Sequence, residues 1–300
     1  METRRGASKA YSSDIEVIPA FLTTDHLTSH SNSLEERKMT PSPISIYDEH
    51  ASDMVVRERL HYALELEHID VFMQPIVTLP QRHNAFYEFF GRLRVKAGQY
   101  VTAQDYMGLA SEEHIVSNLD TILLTECLKI LKKQQSKVDR STSYFINIKP
   151  FTMRNKVFIK NLVAILSKHK AIAHSLIFEM HHNDFLMLSP SEKKILEELN
   201  KVGCRFSIDH VTDIPKDIEQ LSACNVSFIK INAEILISKG KTEAEFEELI
   251  SQKQRLNAHN INLIIEKIES ESMLVELLDY DIKYGQGYLF GKPDFSGVYT

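Results

Sequence analysis

Seven polar side chains lie within or at the ends of apolar segments, where a strand buried on both faces should carry hydrocarbon. Three acids show this pattern well: Leu-Ile-Phe-Glu-Met contains Glu179, Phe-Ser-Ile-Asp ends at Asp209, and Leu-Ile-Ile-Glu ends at Glu266. A buried acid is costly unless it has a partner or a metal. The complete set is Glu88, Asn147, Glu179, Asp209, Lys230, Glu266 and Gln286. Such a set predicts one shared polar site, with separately satisfied groups as the alternative.

The residue types in this set indicate which chemistry the site could perform. Apart from Lys230 and Gln286, its members supply oxygen ligands only, and hard divalent ions such as Mg²⁺ or Mn²⁺ prefer those ligands. A lysine among them can orient or deprotonate a water molecule. A metal-bound water beside clustered carboxylates is typical of phosphate-ester hydrolysis. The set therefore indicates a class of chemistry and leaves the substrate open.

The segments that must position these side chains alternate between β-rich and helical patterns from about residue 53 onward. Strands are predicted at residues 71–79, 85–95, 143–149, 175–181, 205–211, 227–231, 262–268 and 287–290. Helices are predicted near residues 53–68, 118–134, 153–169, 190–202, 215–223, 243–259 and 271–278. Eight strands with interleaved helices predict an α/β fold, a (β/α)₈ barrel. A doubly wound open sheet is the alternative.

Composition excludes several classes of protein. Only 10 of the 300 residues are glycine, and no GxxxxGK[ST] or GxGxxG spacing occurs, which argues against a glycine-rich nucleotide loop and against the doubly wound sheet. A net charge of −6 without a basic cluster argues against a nucleic-acid polymer as partner. No membrane span is expected, because no segment approaches the roughly 18 apolar residues required. The absence of a secretory signal and of CxxC spacing predicts a cytoplasmic protein with reduced thiols.

Residues 1–52 differ from the rest of the chain. They are rich in serine, threonine and proline and show no sustained periodicity. This composition predicts a disordered tail, with a short docking segment for a protein partner as the alternative. The chain is therefore divided into a tail over residues 1–52 and one barrel domain over residues 53–300.

Seven segments of the barrel domain, in order, resemble the EAL domain, the family of cyclic di-GMP phosphodiesterases. They are FMQPIV at 72–77, EFFGR at 88–92, NIKP at 147–150, FE at 178–179, FIKIN at 228–232, EKIE at 266–269 and QGYLF at 286–290. The resemblance covers residues 53–295. It implies a TIM-like barrel of EAL type whose first strand runs antiparallel.

The resemblance also implies a role for each matched residue. Those that would hold a first Mg²⁺ or Mn²⁺ ion are Glu88, Asn147, Glu179 and Asp209. Lys230 would orient the attacking water, and Glu266 would help at a second metal. Those that would bind the ligand are Arg92, Gln74, Gln286 and Glu269. In the family the reaction opens cyclic di-GMP to the linear dinucleotide pGpG.

The departures from the family pattern concentrate around the second metal. The family has Asp-Asp-Phe-Gly-Thr-Gly where this chain has Asp209-His210-Val211-Thr212-Asp213-Ile214, so His210 replaces an aspartate and both glycines are lost. The other degenerate positions are His182, where the family has glutamate, Asn232, where it has aspartate, and Lys267, where it has glycine. An imidazole removes one negative charge from a two-metal site. We therefore expect weak Mg²⁺ binding at the second position and poor or absent hydrolysis.

Two functions from different classes are compatible with this pattern. The first is a degenerate EAL domain that acts as a cyclic di-GMP effector or scaffold and has little hydrolytic activity. The second is an active phosphodiesterase that produces pGpG with Mg²⁺ or Mn²⁺. A protein partner on the tail or the barrel surface and a homodimer are compatible with both.

Three histidines suggest a further alternative at the metal position. His181, His182 and His210 could form a nitrogen-rich site that prefers Zn²⁺ or Mn²⁺. Neighbours on a strand point to opposite faces, so His181 and His182 cannot both face inward in regular geometry. This argument favours histidines that are tolerated where ligand constraints have lapsed.

Overall fold

Eight strands close into a barrel in the computed structural model, which describes residues 53–66, 69–96, 99–103, 113–134 and 142–295. The strands of the sheet are β1 (Asp70–Thr78), β2 (Asn84–Lys96), β3 (Gln99–Val101), β4 (Ser143–Asn147), β5 (Leu176–His181), β6 (Arg205–Asp209), β7 (Val226–Asn232), β8 (Asn262–Glu266) and β9 (Tyr284–Gln286). The barrel order is β1-β9-β8-β7-β6-β5-β4-β2, and pairing of β1 with β2 closes it, while β3 pairs with β2 alone. The predicted tail lies outside the described residues.

Strand β1 runs against both of its neighbours. It pairs antiparallel with β2 and β9, whereas the remaining barrel pairs are parallel. The register sets Gln74 beside Glu88 and Ile76 beside Gln286, which brings three polar side chains onto adjacent strands. The predicted TIM-like barrel with an antiparallel first strand is therefore confirmed.

Helices connect the parallel strands, because such strands need a crossover. They are α1 (Asp53–Glu65), α2 (Glu113–Gln134), α3 (Pro150–Arg154), α4 (Lys156–Lys168), α5 (Lys170–Ser175), α6 (His182–Leu186), α7 (Pro190–Lys201), α8 (Ile218–Ala223), α9 (Ala233–Lys239), α10 (Glu243–Ala258) and α11 (Glu271–Leu278). Ser189 and Glu192 form the capping box that starts α7, and Thr242 and Glu245 form that of α10. None of the helices in the described ranges is long and apolar enough to cross a membrane.

The last strand lies earlier than the sequence pattern predicted. Strand β9 ends at Gln286, and the predicted strand at 287–290 is wrong, because that segment is a turn in which the Phe290 amide donates to the Gly287 carbonyl. Gly287 lies against Ile268, where a Cβ atom would come within 2.1 Å of the Ile268 carbonyl oxygen. Gln286 therefore ends its strand instead of opening it, as Asn147, Asp209 and Glu266 end theirs.

Short elements were not predicted. Strand β3 and helices α3, α5, α6 and α9 span 3 to 7 residues, fewer than the window of about 11 residues that periodicity requires. Helices α6 and α9 matter for function, because they begin directly after β5 and β7, at the mouth of the barrel.

An apolar layer fills the lower part of the barrel. Its aromatic rings contact one another with centroids between 5.0 and 6.4 Å apart, mostly edge to face. We call this the apolar layer; its members are Phe86, Phe145, Phe228, Tyr284, Ile76, Ile177 and Ile264. Side chains that fill a barrel in layers form a packed core, not a pore. The apolar layer therefore closes the barrel interior beneath the side chains of the next layer.

Candidate functional site

A layer of polar side chains lies directly above the apolar layer. In β7, Phe228 belongs to the apolar layer and Lys230 follows two residues later, and β5 repeats the pattern with Ile177 and Glu179. Residues two apart on a strand point to the same face, so each polar group lies above an apolar one. The residues that obey this spacing are Gln74, Glu88, Asn147, Glu179, Lys230, Glu266 and Gln286. The repeated two-residue spacing in the sequence therefore places these polar side chains at the same level of the barrel.

Lys230 is the centre of this level. Its side chain is fully buried, and its Nζ donates to Glu88 Oε2 at 2.6 Å and to Glu179 Oε1 at 3.0 Å. Burial lowers the pKa of Lys230, but the charges of Glu179 and Glu88 outweigh burial and the pKa is raised. Burial also raises the pKa of Glu179 well above its ordinary value. Lys230 is therefore a fixed cation that two buried acids share.

Two amides extend this network across the barrel seam. Gln286 Nε2 donates to Glu88 Oε2 at 2.8 Å and to Gln74 Oε1 at 3.2 Å. Gln74 Nε2 donates in turn to the Gly291 carbonyl at 2.9 Å. One oxygen of Glu88 thus accepts from both Lys230 and Gln286. We call Glu88, Glu179, Lys230, Gln74 and Gln286 the acid–lysine layer.

Two oxygen atoms of the acid–lysine layer are buried without a hydrogen bond. They are Glu179 Oε2, which lies 2.8 Å from Lys230 Nζ but makes no hydrogen bond with it, and Gln286 Oε1. An unsatisfied buried acceptor such as Gln286 Oε1 costs about 1–3 kcal/mol, whereas the ammonium charge of Lys230 compensates Glu179 Oε2. These oxygens are the kind of ligand that Mg²⁺ and Mn²⁺ take, so the donor set fits a hard divalent ion.

Asp209, His210 and Glu266 form a second group, which we call the rim trio. Each offers a donor atom within 4.8 Å of the other two, and within the described ranges no other set of three acid, cysteine or histidine side chains meets that limit. His210 donates its backbone amide to Asp209 Oδ1 at 2.6 Å, and its Nδ1 lies 2.7 Å from Asp209 Oδ2. The trio therefore combines two carboxylates with one imidazole at the mouth of the barrel.

The pKa values of the three side chains in the rim trio are shifted in different directions. Burial acts to raise the pKa of Asp209, but the hydrogen bond from His210 and the charge of Lys230 lower it to about 2. Burial and the neighbouring Asp209 charge raise the pKa of Glu266 to about 7. The bond to Asp209 raises the pKa of His210. A strongly ionised acid thus lies beside one that holds its proton near neutrality, as at sites where proton transfer occurs.

Residues 57–293 match the family model of the EAL domain. The chain belongs to the EAL domain family. Cyclic di-GMP phosphodiesterase PdeF of Escherichia coli K12 is 22% identical over 240 residues, which are 80% of this chain and 32% of PdeF. Cyclic di-GMP phosphodiesterase PdeA of Borreliella burgdorferi is 22% identical over 232 residues, which are 77% of this chain and 34% of PdeA. The chain thus spans about a third of the length of these relatives.

Solved EAL domains share the fold. The FimX EAL domain of Xanthomonas citri in complex with c-diGMP aligns with a TM-score of 0.68 at 17% identity, covering 80% of this chain and 94% of that one. The Pseudomonas aeruginosa FimX EAL domain bound to c-di-GMP aligns with a TM-score of 0.65 at 22% identity, covering 80% and 96%. At sequence identities this low, the structural similarity shows that the chains share the barrel fold.

Three further residues that the sequence predicts for the site of this EAL domain lie outside both the acid–lysine layer and the rim trio. Asn147 ends β4 in register with Glu179 and is half-buried. Arg92 is buried four residues beyond Glu88 on β2, with its guanidinium carbon 5.5 Å from the Phe90 ring centroid. Glu269 is exposed three residues beyond the end of β8. The barrel mouth thus carries the first two, whereas Glu269 lies on the following loop.

The degenerate positions of the EAL domain have local structural partners. Asn232 caps α9 by accepting from the Glu234 amide at 2.8 Å, and it lies in register with Glu266. His182 begins α6, where burial lowers its pKa. His181 accepts from the Asn183 amide at 3.1 Å, and its ring stacks on His210 with centroids 5.0 Å apart. Although His181 stacks on His210, the three histidines do not form a set of ligand atoms within 4.8 Å of one another in the described part of the chain; His210 forms such a set with Asp209 and Glu266.

The sequence analysis named Lys267 and His210 as departures from the family but did not predict their backbone conformation. Lys267 is exposed and keeps a left-handed backbone, φ 59°, at a position where the family has glycine. His210 is also left-handed, with φ 56°, whereas Thr212 and Ile214 are not. A glycine in the family motif is the signal that could have revealed the conformation of Lys267, because glycine occupies such positions by preference. The stack of His181 on His210 had no sequence signal.

Proposed function

We propose that this EAL domain binds cyclic di-GMP as an effector or scaffold and hydrolyses it poorly or not at all. The observation that supports this function is the contrast within one barrel mouth. The acid–lysine layer holds Glu88, Glu179 and Lys230 in a closed buried network, while His210 stands beside Asp209 at the rim. Two first-metal acids and the lysine are thus retained where a second-metal acid is replaced.

The proposed ligand is a dianion with two phosphodiester groups, and its recognition needs cationic or amide donors. Lys230 is already shared by two acids, so it contributes little free charge. Arg92 is the proposed phosphate contact, because a guanidinium matches two phosphate oxygens with two parallel hydrogen bonds. Its position beside Phe90 restricts its orientation. Relatives solved with c-di-GMP support this class of ligand.

A divalent ion would be held by the oxygen donors nearest Lys230. We assign the first ion, Mg²⁺ or Mn²⁺, to Glu88, Asn147, Glu179 and Asp209; when bound, it would supply Lewis-acid activation of water and phosphate. Lys230 would keep Glu88 and Glu179 in place and orient the attacking water. Glu266, whose pKa is about 7, could accept a proton at neutral pH.

Impaired hydrolysis follows from the composition of the rim. The family places two adjacent aspartates where this chain has Asp209 and His210, so one negative charge is missing beside Glu266. Asp209 also accepts two hydrogen bonds from His210, through backbone and ring. A second hard ion would meet fewer anionic oxygens there, so the neutralisation of the leaving oxygen would be weaker.

The second candidate function is an active phosphodiesterase that produces pGpG. The intact Lys230 network favours it, because the first-metal acids and the water-orienting lysine of the resemblance are all retained. Curated relatives named as cyclic di-GMP phosphodiesterases support the same class of reaction. The two candidates share the ligand and differ only in turnover.

A paired binding and turnover experiment separates these candidates. Calorimetric titration with cyclic di-GMP should show micromolar binding that Arg92→Ala weakens at least tenfold, whereas Arg255→Ala, on the exposed face of α10, should leave it unchanged. Chromatography of the products should show little pGpG with either Mg²⁺ or Mn²⁺. Absence of binding at high micromolar ligand would overturn the effector function. Turnover that disappears in Glu88→Ala would establish the phosphodiesterase instead.

A further inference from the structure

The rim trio differs from the layer below it in the kind of donor it offers. Asp209 and Glu266 supply carboxylate oxygens, and His210 supplies an imidazole nitrogen that lies 2.7 Å from Asp209 Oδ2. Two ligands held at about 2.1 Å from one ion, at right angles, are about 3 Å apart. In this structure the 2.7 Å contact is a hydrogen bond, so an ion shared by the two atoms would replace the ring proton between them and require only a small separation of nitrogen and oxygen.

Nitrogen and oxygen donors select different divalent ions. Mg²⁺ takes oxygen ligands and keeps much of its water, whereas imidazole suits late first-row ions such as Co²⁺, Ni²⁺ and Zn²⁺. We propose that the rim trio binds a late first-row divalent ion in preference to Mg²⁺. The substitution of His210 for an aspartate thus changes the metal class of this position instead of merely removing a ligand.

The surroundings of His210 hold its ring in a fixed place. The ring of His181 stacks on it, with an interplanar angle of 29°, and His181 is itself fixed by the Asn183 amide. His210 also has a left-handed backbone and is joined to Asp209 by its backbone amide and by its ring nitrogen. Partners that orient a ligand in this way raise metal affinity, because less side-chain freedom is lost on binding.

The charge around the rim trio permits a cation. Asp209 and Glu266 bring two acids to the trio, and Glu88 and Glu179 lie in the layer below. The opposing cations are Lys230, which those two lower acids neutralise, and Lys267, whose exposed charge is screened by solvent. This inference goes beyond the proposed function, because metal preference can be measured without cyclic di-GMP and holds for an effector or an enzyme.

The test compares metal affinities of the full chain, metal-free and without a tag, by equilibrium dialysis against Co²⁺, Zn²⁺ and Mg²⁺. The visible absorption of Co²⁺ is the second readout, because it responds to replacement of oxygen by nitrogen. Two variants change the trio: His210→Asp restores a carboxylate, and His210→Asn offers neither an anion nor an imidazole. Both residues tolerate the left-handed backbone there. His182→Asp is the control, with the same charge change outside the trio.

The wild-type chain should bind Co²⁺ and Zn²⁺ at least tenfold more tightly than His210→Asn does. His210→Asp should lower the ratio of Co²⁺ to Mg²⁺ affinity at least tenfold and change the Co²⁺ spectrum. His182→Asp should keep the wild-type ratio. Equal Co²⁺ affinity in the wild-type chain and His210→Asn would overturn the proposal. An equal fall in the ratio in His182→Asp would overturn it too, because charge alone would then explain the effect.

Discussion

The acid–lysine layer and the rim trio occupy neighbouring levels of one barrel mouth, yet they differ in how much change the fold tolerates. The side chain of Lys230 is 1% exposed and that of Glu179 is 0% exposed, whereas that of His210 is 55% exposed. Loss of a partner in the buried level leaves a charge in a low dielectric, whereas an exposed rim side chain such as that of His210 or Lys267 can be exchanged where water replaces its contacts. The departures from the family pattern accordingly lie at the rim, as with His210 and Lys267.

The largest effect should come from removing the central cation of the buried level. Lys230→Met leaves Glu88 and Glu179 buried without their shared partner, so the free energy of unfolding should fall by about 3–5 kcal/mol. Urea denaturation at neutral pH measures it. The matched control at the rim is Lys267→Met, which should change stability by less than about 0.5 kcal/mol. Similar losses in both variants would show that burial does not separate the two levels.

A half-buried acid on α2 provides the next comparison. Asp120, on α2, accepts hydrogen bonds from Thr152 Oγ1 at 2.9 Å and from the Lys149 amide at 3.2 Å, and burial raises its pKa to about 6. Because the folded pKa exceeds the unfolded one, stability should fall as pH rises from about 4 to 6, by about 2 kcal/mol. The fall should be about 2 kcal/mol smaller in Asp120→Asn, whose amide oxygen can accept the same bonds, while the raised pKa values of Glu179 and Glu266 contribute a fall in both chains.

Urea denaturation at pH 4 and pH 7.5 checks this expectation. Asp120→Asn should match the wild-type chain at pH 4 and exceed it at pH 7.5. The control, Asp279→Asn, changes an exposed acid at the end of α11 and should follow the wild-type pH dependence. A parallel shift of Asp120→Asn at both pH values would mean that the carboxyl group is not the source of the fall.

A smaller effect is expected from the amide that joins the two sides of the barrel seam. Gln286→Leu removes the donor to Glu88 Oε2 and to Gln74 Oε1, but Lys230 still serves Glu88. The loss in the free energy of unfolding should be about 1–2 kcal/mol, well below that of Lys230→Met. Gln252→Leu, on α10 with an exposed bond to Glu248, should cost less than about 0.5 kcal/mol. A loss as large as that of Lys230→Met would mean that Gln286, not Lys230, organises the layer.

The buried level was largely predictable from the sequence, and the rim was not. An acid or lysine two residues beyond a strand core residue, as at Phe228 and Lys230, is visible in the sequence because strand periodicity fixes the face. The family resemblance added the direction of β1. The predicted strand at 287–290 is a turn because Gly287 lies against Ile268, which follows the neighbouring strand β8, and local propensity does not contain this long-range contact. The stack of His181 on His210 depends on the pairing of strands β5 and β6, at whose ends the two residues lie, and is equally non-local.

The smallest effect tests the backbone of the rim. Lys267 adopts φ 59°, a conformation that costs a residue with a side chain about 1 kcal/mol more than glycine. Lys267→Gly should therefore stabilise the fold by about 0.5 kcal/mol, after allowance for the greater entropy of an unfolded glycine. Lys216→Gly, at an exposed loop position without a left-handed backbone, should destabilise it by a similar amount. Urea denaturation should therefore show a higher free energy of unfolding for Lys267→Gly and a lower one for Lys216→Gly. Destabilisation by both would show that the lysine side chain itself supports the rim, and the rim would then be less tolerant of change than its exposure implies.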